Sequence, residues 1–146
     1  MNLISEQVSN KGTYPMDTEG EVATVLLVED TEDNRQMMRS LLEMSGFRVV
    51  EALNGREAVE VARREKPQII LMDLSLPYVD GIAATRQIRD LPDLKKVPIV
   101  AVSAHDSADF HGLALDAGCN AYVTKPVHYA ELEELVNTLL AEHSDL

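Results

Sequence analysis

The hexapeptide VLLVED, residues 25–30, runs through four apolar side chains and stops on two adjacent carboxylates, Glu29 and Asp30. A continuous apolar run without alternation reads as a strand covered on both faces, as in a parallel sheet. Two neighbouring acids at its end repel each other and resist losing water, so something other than burial must account for them.

Outward from that stretch, short apolar runs alternate with segments of helical period, the pattern of βα units wound into a parallel sheet. The other expected strands are FRVVEA (47–52), QIILM (68–72), PIVAV (98–102) and AYVT (121–124). The second carries Arg48 and Glu51 and the fifth is short and mixed, which puts those two at the sheet edges. Between the strands lie helical stripes: Met37, Met38, Leu41, Leu42; Ala58, Val59, Ala62; Ile82, Ala84, Ile88, Leu91; Phe110, Leu113, Ala114, Ala117; and Leu132, Leu135, Val136, Leu139, Leu140. Gly46 and Gly118 stand where helix C-caps would fall. Right-handed crossovers and the two edge assignments give the order 2-1-3-4-5, a flavodoxin-like doubly wound five-stranded sheet with five helices. The folded domain is expected over 23–143; residues 1–22 are polar, lack periodicity and read as a disordered tail.

The 146-residue chain carries a net charge of −12. That balance argues against direct binding to nucleic acid or to an anionic membrane, both of which begin with clustered Lys and Arg. The first residues show no basic stretch followed by an apolar run, and no apolar run approaches the length of a membrane span, so neither export nor membrane insertion is expected. Cys119 is the single cysteine, so no intrachain disulfide forms, and no zinc-ligand spacing is present. A reducing, cytoplasmic location is expected.

Ligands of doubly wound sheets bind beyond the carboxyl ends of the strands. The residues there are Glu29 and Asp30 after the first strand, Asp73 after the third, Ser103 after the fourth and Lys125, followed by Pro126, after the fifth. Taken singly, each acid reads as a helix cap or a solvated loop residue. Together they bring three carboxylates, a hydroxyl and one ammonium to a single edge. Three close carboxylates need a cation to stay ionised, and an all-oxygen site with few protein ligands suits Mg²⁺ better than Zn²⁺. Beside such an ion Asp73 is placed as a nucleophile able to form an aspartyl phosphate. Lys125 would act as a point charge on a phosphoryl oxygen and Ser103 as a hydrogen-bonding partner there.

With those residues in place, the sequence resembles the receiver domain of two-component response regulators, of the single-domain or hybrid-kinase type. The resemblance rests on VLLVEDTEDNR, on IILMDLSLPYVDG with Asp73, Pro77 and Gly81, on PIVAVSA with Ser103, and on GCNAYVTKP with Lys125-Pro126. It implies that Asp73 takes a phosphoryl group from the phosphohistidine of a histidine kinase or histidine phosphotransfer protein. It also implies Mg²⁺ on Asp30, Asp73 and the backbone carbonyl of Ser75, with Glu29 helping through water. Ser103 and Lys125 would contact the phosphate, Tyr122 would be the aromatic switch, and Ser75 and His105 would tune the phosphoryl lifetime. A cis Lys125–Pro126 bond is expected on the same ground. Output would pass to a downstream protein through the face of helix four, strand five and helix five. The short stretch after Lys125 leaves room for one helix and no effector domain.

Two other readings carry the same fold. One is a binding module that works without phosphorylation; the other is a Mg²⁺-dependent aspartyl-phosphate phosphatase resembling the haloacid dehalogenase group, which would want a second acid two residues after its nucleophile, where this chain has Ser75. A dinucleotide-binding domain fails at the first turn, EDTEDN, which has no glycine. His111, His128 and His143 form no ligand spacing and read as solvated loop residues, Cys119 as a small packed residue, and Met37 and Met38 as core.

Overall fold

The computed structural model describes residues 22–75 and 80–143. Five strands, β1 (Thr24–Val28), β2 (Arg48–Ala52), β3 (Ile69–Asp73), β4 (Ile99–Ser103) and β5 (Ala121–Thr124), alternate with α1 (Glu32–Met44), α2 (Gly55–Glu65), α3 (Gly81–Arg89), α4 (Ala108–Ala117) and α5 (Tyr129–His143). A short 3₁₀ turn at Pro92–Leu94, which the sequence pattern had not indicated, precedes β4. All strand pairs are parallel and the order is β2-β1-β3-β4-β5, as expected from the edge assignments. The expected disordered segment lies, but for Val22, outside the described residues, as does Pro77.

Alternate residues of the central strands serve opposite faces of the sheet. Leu26, Val28, Ile70, Met72, Ile99 and Ala101 pack with Ala58 and Ala62 of α2, Ala84 and Ile88 of α3, and Ala114 of α4. On the other face Val25, Leu27, Ile69, Leu71 and Val100 meet Leu42 of α1 and Leu132, Val136 and Leu139 of α5. Burying one Leu or Ile side chain contributes about 1.5–3 kcal/mol, so these two layers hold the strand ends in place.

Two stripe residues do not join the core. Met37 is 56% exposed and Leu113 is 47% exposed. On α1 only Leu42 is buried, and Met38, half-buried, packs against the core in its place. Met37 is one helical step, about 100°, round from Met38, so the face α1 buries is narrower than its apolar stripe.

The helix ends follow local chemistry. Asn54, Asp80 and Ser107 cap α2, α3 and α4 by accepting the backbone N–H three residues on. Gly118 ends α4 at φ 122°, and a Cβ there would fall 2.7 Å from the Arg89 side chain. The Arg89 guanidinium occupies that space, donating to the Gly118, Leu94 and Asn120 oxygens. Helix α2 instead ends on Lys66 at φ 48°, a left-handed conformation unusual for a residue with a Cβ.

Candidate functional site

Backbone ladders carry the functional residues to the carboxyl edge of the sheet. Glu29, one past β1, donates its N–H to the Ala52 oxygen at 3.1 Å. Asp73 and Ser103 are themselves the last residues of β3 and β4, one position further into the strands than the apolar runs suggest. The ladder continues beyond both: Leu74 N–H donates to Val102 O at 3.0 Å and Lys125 N–H to Ser103 O at 2.8 Å. The Lys125–Pro126 bond is cis, as expected.

Carboxylate oxygens of Glu29, Asp30 and Asp73 all lie within 4.8 Å of one another. Glu29 and Asp73 are 7% and 4% exposed, while Asp30 faces solvent. Lys125 Nζ stands 3.3 Å from Asp73 Oδ2 and 3.6 Å from Glu29 Oε1. Burial pushes the Glu29 carboxyl above its usual range, Asp73 and Asp30 push it further, and the Thr31 N–H and Lys125 oppose them. Burial pulls the Lys125 ammonium down, but the carboxylates of Asp73 and Glu29 outweigh it and leave the group raised, hence charged. One ammonium therefore faces three acids, a donor set that fits a hard divalent cation bound by oxygen.

The acids are held by donors from their own loops. Ser75 N–H donates to Asp73 Oδ1 at 2.8 Å, and Thr31 N–H to Glu29 Oε2 at 3.0 Å. Behind Asp73 lies the start of α3, where a Cβ on Gly81 would come 2.6 Å from the Asp73 carbonyl oxygen. Only glycine lets the helix approach that closely. Ser103, fully buried, accepts the His105 N–H at 3.0 Å. The Tyr122 hydroxyl donates to the His105 carbonyl at 2.8 Å. Glu29, Asp30, Asp73 and Lys125 thus form one cluster, with Ser103, His105 and Tyr122 joined in a second chain beside it.

Residues 25–137 match the family model described as the response regulator receiver domain. The chain belongs to that family. This receiver domain is 34% identical over 119 residues to the polar-differentiation response regulator DivK of Brucella anthropi, covering 82% of this chain and 97% of that protein. The receiver domain of the sensor histidine kinase PA1611 from Pseudomonas aeruginosa has 36% identity and a TM-score of 0.78, covering 83% of this chain and 99% of the other. That structure holds a magnesium ion in its active-site cleft. A response regulator from Chloroflexus aurantiacus superposes with a TM-score of 0.79 at 29% identity, covering 83% of this chain and 99% of the other. The five-stranded order and the five helices are those of the receiver fold.

Two parts of this receiver domain escaped sequence reasoning. Arg35 Nη1 donates to the Glu29 carbonyl at 3.1 Å and its Nε lies 3.6 Å from Glu51 Oε1 on β2, fastening the loop that carries the acids. The four-residue spacing of Arg35 and Arg39, with Glu51 in an edge strand, was the available signal, and Arg39 also reaches Glu51 at 3.1 Å. His111 is not a solvated loop residue: it lies on α4 with its ring stacked on Tyr122, centroids 3.8 Å apart. His128 does sit exposed in the loop before α5. Cys119 is packed as expected, and burial pushes its thiol up, away from thiolate reactivity. No helix among the described residues is long and apolar enough to cross a membrane.

Proposed function

We propose that this receiver domain is the phosphoacceptor of a cytoplasmic two-component or phosphorelay system, taking one phosphoryl group on Asp73 from the phosphohistidine of a histidine kinase or phosphotransfer protein. The observation that carries this reading is the buried Asp73 carboxylate beside Glu29 and Asp30, with Lys125 Nζ at 3.3 Å. In the transfer the P–N bond to the donor imidazole breaks, the ring keeps the electron pair, and a P–O bond forms to an Asp73 oxygen. The step needs little proton chemistry, so alignment and charge neutralisation carry it.

Asp30, Asp73 and the Ser75 carbonyl would hold Mg²⁺, with Glu29 acting through water. When bound, that ion offsets the negative charge of the acids and of the incoming phosphoryl oxygens. Lys125 supplies a positive charge next to the accepting oxygen. Ser103 hydrogen-bonds the transferred group, and its ties to His105 and Tyr122 relay the change to the α4-β5-α5 face. That face is where a downstream protein reads the state. Ser75 and His105, two positions beyond Asp73 and Ser103, set how long the group lasts. The chain is a switch that holds one phosphoryl group and does not turn over as an enzyme.

A phosphorylated histidine phosphotransfer protein mixed with the chain and Mg²⁺ tests the reading. The label should move to this chain and not to Asp73→Asn. Failure of transfer from both phosphohistidine and small acyl phosphates would favour the phosphorylation-independent binding module. Sustained release of phosphate from small esters would favour the phosphatase.

A further inference from the structure

Beyond the acid cluster, the α4 side of the sheet holds a histidine, His111, that the phosphoryl chemistry leaves unused. His111 lies over the Tyr122 ring at 3.8 Å between centroids and 29° between planes. Its Nε2 is buried without a hydrogen-bond partner, 3.6 Å from Asp106 Oδ1. A neutral imidazole meets the carboxylate and the ring without charge; an imidazolium would set a charged N–H toward the carboxylate and a cation against an aromatic face. The Tyr122 hydroxyl is fixed on the His105 carbonyl, and the His105 N–H is fixed on Ser103 Oγ. Phe110 packs on the two middle members of this chain, its ring centroid 4.7 Å from that of His105 and 6.4 Å from that of Tyr122. An unbroken series of contacts therefore runs from His111 to the hydroxyl beside the phosphoacceptor.

We propose that His111 is a positioning residue for Tyr122, its imidazolium holding the Tyr122–His105–Ser103 chain in this arrangement, so that phosphorylation of Asp73 becomes more complete as His111 takes up a proton. The proposal rests on the function given above. Ser103 spends a lone pair on the His105 N–H, and no described residue takes its own hydroxyl hydrogen, which is left to donate to a phosphoryl oxygen. Holding His105 in place thus orients the donor before the phosphoryl group arrives. The groups facing His111 are Asp106 in the loop before α4 and the Tyr122 phenol on β5. On the α5 side of Tyr122, His128 and Glu131 line with it a cavity of about 310 Å³. Histidine side chains ordinarily titrate between about pH 5 and 8, and that is the range over which the proposal is tested.

Two measurements on the full chain test this. In the first, the His111 imidazole and the Tyr122 ring of unphosphorylated wild-type protein are followed by NMR across that pH range. The Tyr122 resonances should move with the midpoint of His111, and Tyr122 signals indifferent to that midpoint would overturn the proposal. In the second, the fraction phosphorylated by acetyl phosphate with Mg²⁺ is compared between wild type and His111→Phe, which keeps a stacking ring and loses the charge. The ratio of wild type to variant should rise about two- to fivefold from the neutral to the protonated side, the scale of an exposed cation–π contact. A pH-independent ratio would overturn the proposal. His111 has a side chain 38% exposed, so the variant should fold, and the first measurement needs no variant. If no phosphoryl group is taken up at any pH, the proposed function fails, while the Tyr122 titration still decides whether His111 positions it.

Discussion

Lys125 Nζ lies 3.3 Å from Asp73 Oδ2 across 52 positions of sequence, and the same ammonium lies 3.6 Å from Glu29 Oε1. Carboxylate oxygens of Asp73 and Glu29 lie within 4.8 Å of each other, and two unit charges at such a distance, in an effective dielectric of about 20, repel by roughly 3 kcal/mol. The edge of the sheet is therefore a place of unbalanced negative charge that a single ammonium only partly relieves. Its consequences follow in stability as well as in chemistry.

Replacing Lys125 by Met keeps the aliphatic stem and removes the charge. Stability in metal-free buffer should fall by about 1–3 kcal/mol, because the buried acids Glu29 and Asp73 lose their cation. Phosphorylation of Asp73 should fall at least tenfold. Urea denaturation and acetyl phosphate labelling read the two effects, and unchanged labelling would remove Lys125 from the site.

Mg²⁺ should raise the stability of the folded chain, since the acid cluster exists only in the folded state. At 100 times its dissociation constant the gain is about 2.7 kcal/mol. Asp30→Asn removes one exposed carboxylate without disturbing the core, so it should fold normally and lose most of that gain. Thermal melts with and without Mg²⁺ make the comparison, and equal Mg²⁺ shifts in both proteins would place the ion elsewhere.

Gly81→Ala should destabilise the chain by about 1–3 kcal/mol, the usual scale of overpacking against atoms that cannot turn aside. The obstruction is the Asp73 backbone oxygen at 2.6 Å, so the damage should also reach the site and slow phosphorylation. Gly112→Ala, with nothing within 4 Å of the added atom, is the control and should not destabilise. Equal melting temperatures for the two variants would contradict the close approach of α3 to β3.

The Tyr129 hydroxyl donates to Leu41 O at 3.1 Å and lies 2.8 Å from Ser45 Oγ, tying α5 to the end of α1. Burial pushes its phenol above the ordinary value of 10.0, with Ser45 opposing and Glu133 adding. The folded chain then keeps this proton where the unfolded chain loses it. Its stabilising contribution is complete below pH 10 and is lost as pH rises through the folded value. Tyr129→Phe should be less stable at pH 8 yet show a shallower alkaline decline, measured by urea denaturation at a series of pH values. A decline as steep as in wild type would assign the alkaline loss to other groups.

The sheet order was readable because burial on both faces demands continuous apolar strands, and VLLV, IILM and PIVAV obey that demand, while Arg48 and Glu51 mark an edge. The acid cluster was readable because Glu29, Asp30 and Asp73 directly follow apolar runs, where charge is conspicuous. That Asp73 and Ser103 belong to the strands themselves was not, since the apolar pattern ends before them while the backbone ladder continues past it. His111, Arg89 and Tyr129 were hidden for another reason. Their partners, Tyr122, Gly118 and Leu41, come from other elements and leave no local period to detect. Met37 shows the converse: a local stripe was present, but the face that α1 buries is narrower than the stripe and left one of its residues outside.

Mass spectrometry of the intact chain after incubation with acetyl phosphate and Mg²⁺ tests the assignment of Asp73 most directly. Wild type should gain one phosphoryl group, removal of Mg²⁺ should prevent the gain, and Asp73→Asn should show none while melting as a folded protein. A phosphoryl group retained by Asp73→Asn, or none gained by folded wild type, would contradict the assignment of Asp73 as the acceptor.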